Sequence, residues 1–336
     1  MSTNESDSDF SALAEIIRNH QRIAIISHAR PDGDAIGSTL SLGYMLMQMG
    51  KEVVMLNEDK IPENISFLAG VEQIKQSTGE PIEVDLAISV DNGDRRRQGE
   101  LSQKSLANVK TWANIDHHQT NDRFADVNYV ESTACATGLV LYKFFKYLGV
   151  EITPVMRDAL YVAISTDTGS FQYKMTNAEV MRAVADLIDL GVDVVGVNRE
   201  LYHEKPWEKI LLQREVLNGM ELSEDGKVCT FCLTAEMKKK VGCKPEDTEG
   251  LIDIIRCVKG VMLAAVLEEY ENDFRIRVSL RSKIEGLSVA KVAESLGGGG
   301  HAMAAGVRIP APLPEAHARI KQAFAKAIAE FQSNQQ

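Results

Sequence analysis

Nowhere in the 336 residues do 18 apolar side chains follow one another, the length that a membrane-spanning helix needs. The first ten residues, MSTNESDSDF, have neither the basic start nor the apolar run of a secretory signal. Both absences argue against a membrane protein and lead us to expect a cytoplasmic one. Cysteine is scarce and odd in number: Cys135, Cys229, Cys232, Cys243 and Cys257. That excludes a disulfide framework and fits reduced, buried thiols. Cys229-Thr-Phe-Cys232 has C-x-x-C spacing, but it lies in the strand-like run KVCTFCLT with no second ligand pair after it, so zinc is not expected. Basic charge is also short, with a formal net charge of −11. Long nucleic acid held by phosphate neutralisation requires a broad basic surface, and is therefore excluded as a partner. A small anionic substrate is still allowed, because bound divalent cations make the local field positive even on an acidic molecule. Internal repeats of 20–50 residues are absent.

What is present describes a globular protein: 44% hydrophobic and 25% charged residues, with only the ends, about 1–8 and 331–336, expected to be loose. The length exceeds that of a usual domain and predicts two domains sharing a cleft. The first half alternates RIAII (22–26), the amphipathic AIGSTLSLGYMLMQMG, EVVML (52–56), DLAISV (85–90) and WANI (112–115), the pattern of a parallel sheet flanked by helices. Gly50 stands where the first helix should stop. TPVMRDALYVAIS (153–165) and NAEVMRAVADLIDLGV (177–192) read as further helices, the second capped by Asn177. After residue 192 the runs KVCTFCLT, VMLAAVLEEY and FRIRVSL read as strands with hairpin connections and fewer helices. The expected organisation is an α/β catalytic domain at 1–192, a largely helical connector at 193–215 with Pro206 near the start of its helix, and a smaller α/β domain at 216–332.

The polar stretch Ser27-His28-Ala29-Arg30-Pro31-Asp32-Gly33-Asp34 follows a predicted strand and precedes a helix, the place where open α/β sheets bind ligands. Asp91-Asn92-Gly93-Asp94 follows DLAISV, Asp116-His117-His118 follows WANI, and Asp167 sits in STDTGSF after a helical run. Singly these are ambiguous: Asp32-Gly33 and Asn92-Gly93 could be turns, and Asp34 a helix cap. Together, four carboxylates and several imidazoles at one sheet edge would repel strongly unless cations neutralised them. Carboxylate and imidazole donors without thiolate favour Mn²⁺ over Ca²⁺, with Mg²⁺ or Co²⁺ as substitutes. Two such ions roughly 3.5–4 Å apart suit phosphoester hydrolysis, since together they activate water and clamp the attacking and leaving oxygens.

HARPDGDAIGS, VDN, IDHH and STDTGSF, in that order, resemble the DHH phosphoesterase superfamily. Gly297-Gly298-Gly299-Gly300-His301-Ala302-Met303-Ala304-Ala305-Gly306, preceded by Ser279-Leu280-Arg281-Ser282, is similar to its DHH-associated substrate domain. The resemblance spans nearly the whole chain and implies an active site in the cleft between the domains. It implies that His28, Asp32 and Asp91 bind one divalent cation, while Asp34, Asp91, His117 and Asp167 bind a second, with Asp91 bridging. By the same resemblance Asp116 orients an imidazole, and His118 faces the substrate to stabilise phosphate charge or handle a proton. His118, Asp91 and Asp116 are thus the expected catalytic set. Arg97 matches an arginine that such proteins carry after the second motif, although Arg95-Arg96-Arg97 could equally be a solvated face. Arg281 and Ser282, the backbone of Gly298, Gly299 and Gly300, and His301 are the expected substrate contacts, the glycines because bare N–H groups cradle phosphate.

The superfamily includes pyrophosphatases, exopolyphosphatases, long-strand exonucleases, cyclic-dinucleotide phosphodiesterases and short-oligonucleotide hydrolases. Without a membrane segment or an added oligonucleotide-binding domain, and with the glycine motif, this chain resembles the stand-alone nanoRNases. The resemblance implies hydrolysis of RNAs of two to five residues and of 3′-phosphoadenosine 5′-phosphate, and a homodimer is the expected assembly. The alternatives are a phosphodiesterase dedicated to linear dinucleotides such as pGpG or pApA, and a nucleotide-binding protein without catalysis.

Overall fold

The computed structural model describes residues 9–270 and 273–334; of the expected loose ends, 1–8 and 331–336, residues 1–8 and 335–336 lie outside them. The chain divides into two compact units, one ending at Glu204 and the other beginning at Lys205. Among the described residues no helix is long and apolar enough to cross a membrane.

The first unit runs α1 (Ser11–Asn19), β1 (Arg22–Ile26), α2 (Gly33–Gln48), β2 (Glu52–Asn57), β3 (Ile74–Gln76), β4 (Leu86–Val90), α3 (Glu100–Ser105), β5 (Trp112–Asp116), β6 (Val127–Val130), α4 (Thr137–Leu148), α5 (Pro154–Asp167), α6 (Ala178–Asp189) and α7 (Val194–Asn198). Its sheet has the order β3-β2-β1-β4-β5-β6 with every pairing parallel. The short strands β3 and β6, which the hydrophobic pattern does not mark, close its edges. β4 and β5 are buried along their whole length, as expected of strands covered on both faces. The order reverses between β1 and β4, whose registers place Ile26 beside Ser89, so the loops after these two strands open side by side.

Small residues set how the helices pack. A Cβ on Gly37 of α2 would lie 2.3 Å from the Ala159 carbonyl oxygen of α5, and one on Gly138 of α4 would lie 2.4 Å from Ala163 Cβ. Close approach here brings the first turns of α2 and α4 against the last turns of α5. Thr153 caps α5 ahead of Pro154, and Asn177 caps α6, accepting from Glu179 N and Val180 N. Gly50, at φ 78°, turns the chain just beyond α2.

The second unit runs α8 (Trp207–Gly219), β7 (Glu221–Leu222), β8 (Val228–Leu233), α9 (Ala235–Val241), α10 (Leu251–Arg256), β9 (Leu263–Tyr270), β10 (Asp273–Ser282), α11 (Val289–Ser295), β11 (Gly299–Gly300), β12 (Ala304–Ile309) and α12 (Leu313–Ser333). Its sheet order is β11-β12-β10-β9-β8-β7. β9 and β10 form the expected hairpin. β8 and β9 instead run parallel, and α9 and α10 lie between them in sequence because a parallel pair needs a crossover. One face packs on α11 and α12, while α8, α9 and α10 cover the other over β8 and β9. Residues 331–333, expected to be loose, are the last turn of α12, with Phe331 against the core. Alternation along β8 sends Cys229 to one face and Cys232 to the other, so the C-x-x-C spacing does not bring the two thiols to one point.

Candidate metal centre

Each expected metal-ligating side chain of the first unit sits at the end of an element, and the fold brings them together. His28 follows β1, Asp32 caps α2, Asp34 is in its first turn, Asp91 follows β4, His117 follows β5 and Asp167 ends α5. Three sets of three have donor atoms within 4.8 Å of one another: His28, Asp32 and Asp91; Asp34, His117 and Asp167; and Asp91, His117 and His118. Asp91 belongs to both surroundings. Its Oδ2 lies 3.4 Å from His28 Nε2 and its Oδ1 3.5 Å from His117 Nε2. His28 Nε2 is also 3.7 Å from Asp32, and His117 Nε2 is 3.2 Å from Asp167 and 3.8 Å from Asp34.

The imidazoles are oriented for ligation. His28 Nδ1 faces the Ala29 carbonyl at 3.0 Å and His117 Nδ1 the Ala134 carbonyl at 3.3 Å. A carbonyl only accepts, so Nδ1 carries the hydrogen, and in the neutral ring Nε2 turns a lone pair on the carboxylates. Lone pairs facing carboxylate oxygens at these distances call for a cation between them, and oxygen and imidazole donors fit a divalent one.

Asp32, not Asp34, is the helix cap: its Oδ1 accepts from Ala35 N at 3.0 Å while Oδ2 faces His28. The turn reading and the ligand reading therefore describe two oxygens of one side chain. Asp34 is fully buried and caps a different helix. It accepts from Thr137 N at 2.6 Å, from Gly138 N at 2.8 Å and from Ser38 Oγ at 3.0 Å, supplying the N-terminus of α4 with the cap that its own Ala136 lacks. The positive end of α4 in turn favours its charge. Asp91 stands at φ 54°, a left-handed conformation that aspartate tolerates better than most residues. After Asp167 the chain turns through Gly169, Ser170 and Phe171, all at positive φ.

Electrostatics shows what this cluster must do without a cation. Burial would lower both imidazoles, but the carboxylates outweigh it: those on Asp32 and Asp91 push His28 up to about 10, and those on Asp91, Asp34 and Asp167 push His117 up to about 10. Burial, with Asp91 nearby, pushes Asp167 up to about 7. Burial and the charges of Asp91 and Asp167 raise Asp34 as well. Asp91 moves the other way: burial opposes its ionisation, yet bonds to His117 and His28 hold it well below the usual carboxylate range. Protons thus occupy the place a metal would take.

Asp116 is fully buried and orients His118, accepting from its Nδ1 at 2.7 Å, while Asn121 Nδ2 donates to the other Asp116 oxygen at 2.6 Å. Thr137, Asn121 and the Ala134 carbonyl are the parts of the site that motif spacing does not reveal. The run of small residues STACATG (132–138), which leads into α4, is the signal for Thr137 and Ala134, and none marks Asn121. Asn92, beside Asp91, is fully buried with no protein partner for its side-chain amide. The three arginines separate: Arg95 lies 4.0 Å over the Trp112 ring, Arg96 forks onto Asp94, and Arg97 is exposed with its carbonyl accepting from Ala29 N at 2.7 Å, beside His28.

The expected substrate contacts gather within the second unit. Arg281 pairs across to Ala304, Gly299 to Gly306 and Gly300 to Ala305, and His301 begins the tight turn into β12. Gly298 and Gly300 leave no room for a side chain, with a Cβ 2.3 Å from Gly306 oxygen and 2.6 Å from Ala305 Cα respectively. Gly299 is different, since a Cβ there would meet nothing within 4 Å. Its bareness serves no packing within the chain. Ser282 is buried with its hydroxyl both donating to Ile284 O and accepting from Ile284 N, so it holds the turn after Arg281.

Comparison with known proteins places the chain in a family. The family model described as the DHH family, N-terminal domain, matches residues 22–164, and that of the DHHA1 domain matches 225–331. A Thermus thermophilus protein named bifunctional oligoribonuclease and PAP phosphatase NrnA is 30% identical over 313 residues, covering 93% of this chain and 92% of the relative. Its Bacillus subtilis namesake is 26% identical over 300 residues, covering 88% and 92%. Among solved structures, an exopolyphosphatase-related protein from Bacteroides fragilis is similar with a TM-score of 0.90 and 25% identity over 96% of this chain and 97% of that one. The exonuclease RecJ bound to manganese shares the fold, with a TM-score of 0.52 and 15% identity over 94% and 93%. Motif order, the shared carboxylate and these matches together make the chain a member of the DHH phosphoesterase family carrying a DHHA1 domain.

Proposed function

We propose that this protein is a cytoplasmic two-metal phosphoesterase that hydrolyses RNAs of two to five nucleotides to mononucleotides and 3′-phosphoadenosine 5′-phosphate to AMP. The observation that carries the two-metal reading is Asp91, one carboxylate whose two oxygens face two separate imidazoles, each with its own further carboxylates. Relatives at 26–30% identity named as oligoribonuclease and PAP phosphatase support the substrate.

His28, Asp32 and Asp91 would hold one ion, and Asp34, Asp91, His117 and Asp167 the other, with Mn²⁺ the best match to the mixed donors. Bound there, the pair supplies activation of water and withdrawal of charge from the phosphoryl group. The chain does the rest. Asp116 fixes His118 through Nδ1, which leaves Nε2 as the atom that holds or passes a proton at the reacting phosphate. Asp34 ties the ligand cluster to α4, so helix packing positions the donors. Arg97, beside the His28 loop, and Arg281, with the bare backbone at Gly299, take phosphates of the substrate that do not react.

A substrate panel tests this: pApA, pGpG, a five-nucleotide RNA and the bisphosphate nucleotide, with Mn²⁺ or with EDTA, products resolved by size. Mononucleotides should appear from the RNAs and AMP from the bisphosphate, only with metal. No turnover of dinucleotide or bisphosphate sinks the reading, while turnover of pGpG and pApA alone favours a dedicated dinucleotide phosphodiesterase.

A further inference from the structure

On β10, Arg277, Ser279 and Arg281 share one face of the second sheet, and none of the three is fully buried. Their partners on β12 are Arg308, Gly306 and Ala304, and Gly299 lies beyond Gly306 on β11. The helices that cover this face over β8 and β9 pack on Ala264 and Val266 of β9, leaving the β10-β12-β11 side to solvent. The result is a flat shelf, floored in its middle row by Ser279, Gly306 and Gly299. Arginine stands at both ends: Arg281 at one and the pair Arg277 and Arg308 at the other, four residues or ~13 Å away along the strand.

At the Arg277 end the shelf opens into a cavity of about 800 Å³ whose wall carries Lys238, Lys239, Lys244, Arg275, Arg277 and Arg308. Glu268 and Asp273 are the acids among its lining. Glu268 is engaged by Lys238 at 3.1 Å and lies 3.8 Å from Arg277, and Asp273 is shared between Arg275 at 2.9 Å and Arg308 at 3.4 Å. Six basic side chains line the hollow with these two carboxylates, on a chain whose net charge is −11. A protein so acidic has no general reason to gather cations in one hollow, and an anionic ligand is the chemical reason for doing so. Nothing in the hollow is a hard-metal donor set, and its cations match phosphate oxygens.

We infer that this cavity is a second phosphate station, which holds a phosphodiester of an RNA substrate at least one nucleotide beyond the phosphate taken by Arg281. The inference rests on the short-RNA reading above. It adds that affinity rises with length up to the reach of the shelf, because a dinucleotide cannot place phosphates at stations ~13 Å apart and a pentanucleotide can.

The test uses the exposed pair Lys239 and Arg308 in the full chain, as K239A/R308A and R308E, with circular dichroism confirming the fold. Binding of a 5′-labelled pentanucleotide is followed by fluorescence anisotropy in EDTA, where no hydrolysis is needed. The double variant should bind about tenfold more weakly, and its log K against log salt slope should be shallower by about 0.7 for each phosphate that the variant leaves unneutralised. With Mn²⁺, the ratio of KM for pentanucleotide to KM for dinucleotide should rise about tenfold, and further in R308E. An unchanged slope, or equal shifts for both lengths, overturns the second station. Failure of the parent protein to hydrolyse any RNA, with the anisotropy difference intact, overturns the short-RNA reading instead and leaves the phosphate station standing.

Discussion

Asp91 combines three demands that rarely coincide in one residue. It faces both imidazoles, accepts from Thr137 Oγ1 at 3.2 Å, and holds a left-handed backbone at φ 54°. Substitutions separate the demands. Asparagine tolerates that backbone and keeps the shape while removing the charge, whereas alanine adds backbone strain of about 1–2 kcal/mol. Asp91→Asn should fold, lose most of its bound Mn²⁺ as measured by plasma mass spectrometry on the dialysed protein, and lose at least ~10²-fold in kcat/KM, the scale at which one group aimed at developing charge matters. Asp91→Ala should lose the same activity and also melt below Asp91→Asn in EDTA. Parent-like metal content and a rate within twofold in Asp91→Asn would refute the shared carboxylate. Motif order in the sequence made all six expected ligands legible, because each carries its own donor atom. It could not show which oxygen does what. One oxygen of Asp32 caps α2 while the other faces His28, and Asp34 caps a helix that begins over 100 residues later, a relation that exists only once α2 and α4 pack.

At the scale of elements, the hydrophobic pattern locates the long, buried pieces and misses the short or exposed ones. β1, β2, β4 and β5 read as continuous apolar runs because both faces are covered. β3 spans three residues, and β11 is two glycines, so neither has a pattern to read. The parallel β8-β9 pair was equally hidden, because a strand's own residues do not record the direction of its neighbour. Glycine spacing in α2 was visible, but its purpose lies in α5. A methyl at Gly37 would press on the Ala159 carbonyl oxygen at 2.3 Å, in a helix pair whose one end carries both Asp34, in the first turn of α2, and Asp167, at the end of α5. Gly37→Ala should therefore destabilise by about 1–3 kcal/mol through overpacking, despite alanine's better helix propensity. Calorimetry would show a lower Tm, and the Mn²⁺ concentration for half-maximal activity should rise as the two carboxylates separate. A raised Tm with unchanged Mn²⁺ demand would mean that the helices have room, and that their close approach does not set the site.

For the whole molecule, the metal centre is a fold-stabilising and a fold-threatening feature at once, and pH decides which. His28 and His117, raised to about 10 from an ordinary 6.5, stabilise the metal-free fold fully below pH 6.5 and progressively less as pH climbs towards 10, at most about 1.4 kcal/mol per imidazole per pH unit. Asp34 and Asp167 act in the same direction, because burial raises both and their ionisation in the folded state is unfavourable. Asp91, held low, contributes above the ordinary carboxylate range and becomes a factor only in acid. Between pH 6.5 and 8.5 the metal-free protein should thus lose stability. A divalent cation competes with those protons for the same atoms, so its binding strengthens over the interval and stabilises the fold by mass action. The Tm in EDTA should fall from pH 6.5 to 8.5, the gain in Tm on adding 1 mM Mn²⁺ should widen, and titration calorimetry in buffers of different ionisation enthalpy should show protons released as Mn²⁺ binds. A gain in Tm that stays constant with pH, or binding without proton release, would mean that the two imidazoles carry no protons in the metal-free state. The cluster would then have to keep its carboxylates apart by some means other than the one its geometry provides.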